Sequence, residues 1–142
     1  MARWTTLTLR IFSDTRSTDD ISATFGLEPT AVRKKSSSQS ATTSDGPRAH
    51  TNAWRLDSGL PPSATLTAHM SSMLDVLEAR ADAVGELARD CRLDLLIGFS
   101  SESGQAGDVL PHSVLKRLAR LPVDLTLDLY PPSDVGAGDP RK

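Results

Sequence analysis

Only one cysteine, Cys91, occurs in the 142 residues, so neither an intrachain disulfide nor a thiolate metal cluster can staple this chain. It reads as a small buried hydrophobe, since no histidine or asparagine stands beside it to activate a thiolate. No apolar run approaches the ~20 residues that cross a bilayer. The opening Met1-Ala2-Arg3-Trp4-Thr5-Thr6 also lacks the apolar stretch of a signal peptide. The expectation is a cytoplasmic protein with no membrane partner. An excess of one charge is missing too: 16 Lys and Arg stand against 18 Asp and Glu, a net charge of −2. Nucleic-acid binding, which needs a strongly basic face, is therefore disfavoured. His50, His69 and His112 show no paired ligand spacing and read as surface or boundary residues, so no metal and no cofactor is expected. Gly98-Phe99-Ser100-Ser101-Glu102 lacks the second glycine of a nucleophile elbow, and Gly104-Gln105-Ala106-Gly107 lacks the ending of a phosphate loop. No catalytic residue is assigned.

What is present fits one domain over residues 1–130, with a disordered tail at 131–142. Two segments dilute the apolar content to 38%: the Ser- and Thr-rich stretch Lys34–Asn52 and the tail Pro131–Lys142. Neither holds enough apolar surface to offset its ordering entropy, and both are expected to be mobile. Elsewhere four stretches alternate with the period of a half-buried strand. Leu7, Leu9 and Ile11 form one set, Trp54 and Leu56 the second. Leu93, Leu95, Ile97 and Phe99 form the third, and Val123, Leu125, Leu127 and Leu129 the fourth. Trp54, Leu56, Leu95, Ile97, Leu125 and Leu127 are the expected core.

Three helical stretches supply the cover. Asp19–Phe25 has Ser17 or Thr18 as N-cap and Gly26 as its stop. Thr65–Asp90 carries an apolar stripe through Leu66, Met70, Met73 and Leu77, and a break is expected near Ala79–Asp82, with Asp82 capping the second piece. Pro111–Leu121 buries Val114, Leu115, Leu118 and Leu121, with Pro111 at its first position. The fold class is therefore α+β: a four-stranded main sheet with helices on one face, in the manner of a ferredoxin-like layer. Leu7–Ser13 and Leu93–Ser100 echo each other, as two strand–helix–strand halves would. A broken crossover would return the chain antiparallel and a single one would favour a parallel neighbour, so the strand order stays open.

Four stretches in order carry a resemblance: Asp19-Asp20-Ile21-Ser22 with Phe25-Gly26-Leu27-Glu28-Pro29-Thr30; Trp54-Arg55-Leu56-Asp57-Ser58; Met73-Leu74-Asp75-Val76-Leu77; and Val123-Asp124-Leu125-Thr126-Leu127-Asp128-Leu129-Tyr130. From about Leu7 to Tyr130 the chain resembles the bacterial family known as domain of unknown function 4279. Arg33-Lys34-Lys35 runs into serines here, without the glycine that family members carry after this element. The resemblance implies no activity for any residue.

The alternation leaves one face of the sheet facing away from the helices. It holds Thr6, Thr8, Arg10, Arg55, Asp57, Asp94, Leu96, Asp124, Thr126, Asp128 and Tyr130, with Trp4 at its edge. Trp4, Leu96 and Tyr130 are large for a solvated surface, so Trp4, Arg10, Arg55, Leu96, Asp128 and Tyr130 are the candidate contacts for a ligand or partner. The expected function is a non-enzymatic binding or interaction domain for a protein partner or small ligand, with a homodimer as one form. An immunity- or antitoxin-type inhibitor with an acidic decoy face is an alternative. A small enzyme built on Asp57, Asp94, Asp124 and Asp128 is another. The plainest reading of the same residues is a set of cross-strand ion pairs.

Overall fold

The structure is a computed structural model that describes residues 3–35, 51–101 and 107–130. Strand β1 (Arg3–Ser13) leads into helix α1 (Thr18–Phe25) and a short strand β2 (Ala31–Arg33). Then come β3 (Asn52–Asp57), α2 (Leu66–Ala79), α3 (Ala81–Leu87), β4 (Arg92–Ser101), α4 (His112–Ala119) and β5 (Asp124–Tyr130). The sheet has five strands, not four, in the order β2-β3-β1-β4-β5. β2 is only three residues long, too short for an alternation to show. Among the described residues no helix is long and apolar enough to cross a membrane.

The long β1 lies at the centre, antiparallel to β3 on one side and to β4 on the other; only β4 and β5 run parallel. The two echoing segments are thus direct partners: Leu7 faces Ile97, Leu9 faces Leu95 and Ile11 faces Leu93. They match because they line the same core from adjacent strands, and the strand order departs from two repeated strand–helix–strand halves. The crossover does break, at Arg80, between α2 and α3. Yet β4 runs parallel to β3, since both oppose β1. With 14 residues, about 21 Å at the helical rise, α2 alone spans the strands and brings the chain back to the end where β3 began.

Local chemistry sets the helix ends. The Ser17 hydroxyl accepts the Asp20 N–H at 3.0 Å, and Gly26 closes α1 at φ 87°. The Thr65 hydroxyl accepts the Ala68 N–H and starts α2. Asp82 caps nothing; it lies in the first turn of α3, where its charge suits the helix dipole. Pro111 is the N-cap of α4 with an extended backbone, one residue earlier than expected, and its carbonyl accepts from Val114 and Leu115.

The core fills the space between sheet and helices. Trp54, Leu95 and Ile97 are buried there with Ile21, Phe25, Met70, Leu74 and Leu77, and Leu56 packs at the margin. Leu125 and Leu127 are not in the core. They share the face of Leu95 and Ile97, as the alternation requires, but stand 40% and 60% exposed. α4 turns towards α2, where Arg117 reaches Asp75 and Glu78, and buries fully only Val114. Leu115, expected in its buried stripe, is 46% exposed.

Most of Lys34–Asn52 and all of 131–142, the two segments expected to be mobile, lie outside the described residues. The flanks of the first are joined: the Lys35 N–H donates to Asn52 Oδ1 at 2.6 Å, and Arg33 donates to the Thr51 carbonyl at 3.2 Å.

Candidate functional site

The sheet register places the expected outer-face residues in rows across the strands. Trp4, Ser100 and Tyr130 make one row; Thr6, Gly98 and Asp128 the next. Asp57, Thr8, Leu96 and Thr126 follow, then Arg55, Arg10, Asp94 and Asp124. Phe12 and Arg92, which the sequence reading left out, extend the face beyond that row.

At one end the rings of Trp4 and Tyr130 meet with centroids 5.1 Å apart, tilted by 51°. Gly98 makes the contact possible. A Cβ there would stand 2.6 Å from Thr6 Oγ1 and 3.1 Å from Trp4 Cζ3, so only a bare backbone lets the indole lie across β4. The Tyr130 hydroxyl donates to Asp128 at 2.6 Å, and that carboxylate keeps the phenol protonated above its usual range. Trp4, Tyr130 and Asp128 therefore form one cluster, with Leu96 half-buried one row beyond Gly98. Arg55 stands apart, exposed on β3.

Arg10 has a different setting. Although it lies on the face away from the helices, it is 5% exposed, and Asp94 is fully buried. Arg10 Nε donates to Asp94 Oδ1 at 2.8 Å and its terminal nitrogen to Oδ2 at 2.5 Å, a bidentate pair. Thr126 donates to the same Oδ2 at 2.8 Å. Burial pushes the Asp94 carboxyl up, but the hydrogen bonds from Arg10 and Thr126, with the charges of Arg10 and Arg92, prevail and hold it below the usual carboxylate range. The Arg10 guanidinium also lies 5.1 Å from the Phe12 ring centre, and that of Arg92 lies 4.4 Å from it. The remaining carboxylates are dispersed: Asp57 accepts from Thr8 at 2.9 Å, and Asp124 is exposed opposite Asp94. Among the described residues no three His, Cys, Asp or Glu side chains are grouped to hold a metal ion.

Sequence reasoning missed His69. It is 1% exposed, and its Nδ1 lies 2.6 Å from the Ser58 hydroxyl. Its Nε2 has no hydrogen-bond partner among the described residues, and the backbone carbonyls of Pro61 and Thr5 favour the protonated ring. The signal was present: position 69 stands three after Leu66 and four before Met73, on the buried stripe. Ser58 and His69 border a cleft of about 330 Å³ between the end of β3 and β1. Burial pushes the imidazole below its usual pKa, with those carbonyls opposing. A depressed folded pKa means the unfolded chain takes up the proton first. This contribution to stability is whole above pH ~6.5, the unfolded value, and is lost as pH falls from there through the folded pKa. Urea unfolding at pH 7.5 and 5.5 is expected to show that loss, and His69→Asn is expected to flatten it. An equal loss in both chains would assign the acid sensitivity elsewhere.

Among the described residues the chain is an α+β sheet with its helices on one face and, on the other, an aromatic corner and a buried ion pair. A family model described as domain of unknown function 4279 matches residues 3–132, and the chain belongs to that family. No curated protein and no solved structure matches the chain.

Proposed function

We propose that this chain is a binding module, not an enzyme, and that its outer sheet face receives a protein partner. The observation that carries the reading is the Trp4–Tyr130 ring pair beside Leu96, on the face of the sheet that points away from the helices. Apolar rings on a solvated face lose little there and gain when a partner removes water from both sides. At ~25 cal/mol per Å² of apolar area, covering one ring supplies a few kcal/mol before association costs. Arg55 and Asp128, at opposite sides of the apolar cluster, would orient the partner and reject wrong ones. Arg10 serves differently: its guanidinium engages both Asp94 oxygens, so the buried pair holds β1 to β4 beneath the platform. The scatter of Asp57, Asp124 and Asp128 gives acid–base chemistry no shielded pair of carboxylates, which favours binding over catalysis.

The experiment is affinity capture from a native host with the intact chain and with Trp4→Ala/Leu96→Ser, both checked for folding by circular dichroism. The intact chain is expected to retain a partner that the folded double variant loses at least tenfold. Equal capture by both chains overturns the reading.

A further inference from the structure

β5 ends the sheet. Its seven residues pair with β4 on one side, and on the other no described strand accepts the backbone row. Exposed edges are normally blunted by proline, by charged side chains, above all lysine, by a bulge or by brevity. Between Asp124 and Tyr130 there is no proline and no lysine, and one face is a leucine stripe. Leu125, Leu127 and Leu129 are 40%, 60% and 68% exposed. An edge of this kind invites a further strand.

The residue pattern says which strand fits. Lay a second copy of β5 antiparallel to the first, with the two-fold axis through Leu127, and all seven residues overlap. On the helix side Leu127 meets its own copy, and each Leu125 meets Leu129 of the second copy. On the outer side each Asp128 faces a Thr126, and each Asp124 faces a Tyr130, so no carboxylate lies opposite another carboxylate. Shift the axis by one residue and this fails. Through Thr126, Asp124 would face Asp128 twice; through Asp128, that carboxylate would face itself. Like charges directly opposite across a strand pair are destabilising. Moving the axis two residues, to Leu125 or Leu129, carries the overlap beyond the strand. The one register that uses the whole edge is also the one that keeps the carboxylates apart.

We propose that two copies of this chain join through β5, antiparallel about Leu127, into a continuous ten-stranded sheet. The leucine stripes of both copies then close on one another, and the contact is isologous, so it stops at two. The two outer faces become one platform, with the Trp4–Tyr130 corners flanking the seam at its opposite ends. This inference uses the β5 edge and does not depend on what the outer face binds.

Mass in solution is the first test, by light scattering from about 10 to 200 µM. The intact chain is expected at twice its 15.2 kDa mass. Leu127→Lys, which sets two ammonium groups on the axis, is expected at the single mass with an unchanged circular dichroism spectrum, since Leu127 is not a core residue. The Trp4→Ala/Leu96→Ser variant is expected to keep the double mass, which separates this contact from the outer-face reading. Register is tested by oxidation in a Cys91→Ser background. Leu127→Cys is expected to cross-link to itself. Leu125→Cys and Leu129→Cys are expected to cross-link only when mixed. A single mass for the intact chain at every concentration, or equal cross-linking at all three positions, overturns the proposal. So does a chain that doubles only after residues 131–142 are deleted, which would make the tail the occupant of the stripe.

Discussion

Replacing Trp54 by alanine is expected to cost the fold about 3–5 kcal/mol, the range for removing a large buried ring from a packed core. The side chain is fully buried on β3, between Ile11 of β1 and Val32 of β2 in the register. It meets Phe25 edge-on, with centroids 5.3 Å apart, and its indole N–H donates to the Ser22 hydroxyl at 2.9 Å. One side chain therefore joins the sheet to α1 by area, by ring geometry and by a hydrogen bond. For a chain of this length the loss corresponds to a fall in melting temperature on the order of 10–15 °C. Trp54→Phe keeps most of the area but removes the donor. Because Ser22 is only partly buried and can turn to water, that variant is expected to lose about 1–2 kcal/mol. Thermal unfolding of the two variants separates packing from hydrogen bonding. If the phenylalanine variant falls as far as the alanine variant, the bond to Ser22 outweighs the ring.

Trp54 was legible in the sequence because it alternates with Arg55, and a strand's period of two depends only on the chain itself. The same rule correctly put Asp94, Leu96, Thr126 and Asp128 on the outer face and Leu125 and Leu127 on the inner one. It could not say whether a helix reaches over the inner face. That depends on where α4 settles, and α4 meets α2 through Arg117, whose partners Asp75 and Glu78 lie about forty residues away. The core assignment failed at β5 because α4 and the residues just after it pack through Val114, Leu118 and Leu121 and leave Leu125 and Leu127 exposed. His69 was misread because a polar residue on an apolar stripe was given to the surface, although Ser58 supplies a partner that makes burial tolerable. Gly98 belongs to a stretch set aside for lacking the second glycine of a nucleophile elbow; its role appears only once β1 lies beside β4 and Trp4 crosses it. The residues of the outer face could be named from one strand at a time. Their pairings could not, because each joins residues on different strands.

The pairing with the greatest consequence is Arg10 with Asp94, and removing one partner is expected to be far worse than removing both. In Arg10→Met the Asp94 carboxylate stays fully buried, with Thr126 as its remaining side-chain donor. An uncompensated buried charge of this kind costs about 3–5 kcal/mol. In Arg10→Met/Asp94→Leu both charges are gone and apolar side chains of similar volume fill their place beside Phe12 and Leu96. That variant is expected to recover most of the loss, since a buried ion pair is often no better than the hydrophobic pair that replaces it. Acidity gives an independent check, because the sign differs between the chains. In the intact chain the folded Asp94 titrates below its unfolded value, so its contribution is whole above pH ~4 and fades as pH falls through the folded pKa. In Arg10→Met burial acts without the guanidinium and lifts the carboxyl above the unfolded value. Protonation then relieves the folded state first, and the variant gains ground on the intact chain as pH falls from 7 towards 4.5. Urea unfolding of the three chains at pH 7 and 4.5 measures both effects. A deficit in Arg10→Met that is equal at the two pH values, or a double variant no better than the single one, would show that Arg10 acts through its packing against Phe12 and not through the charge of Asp94.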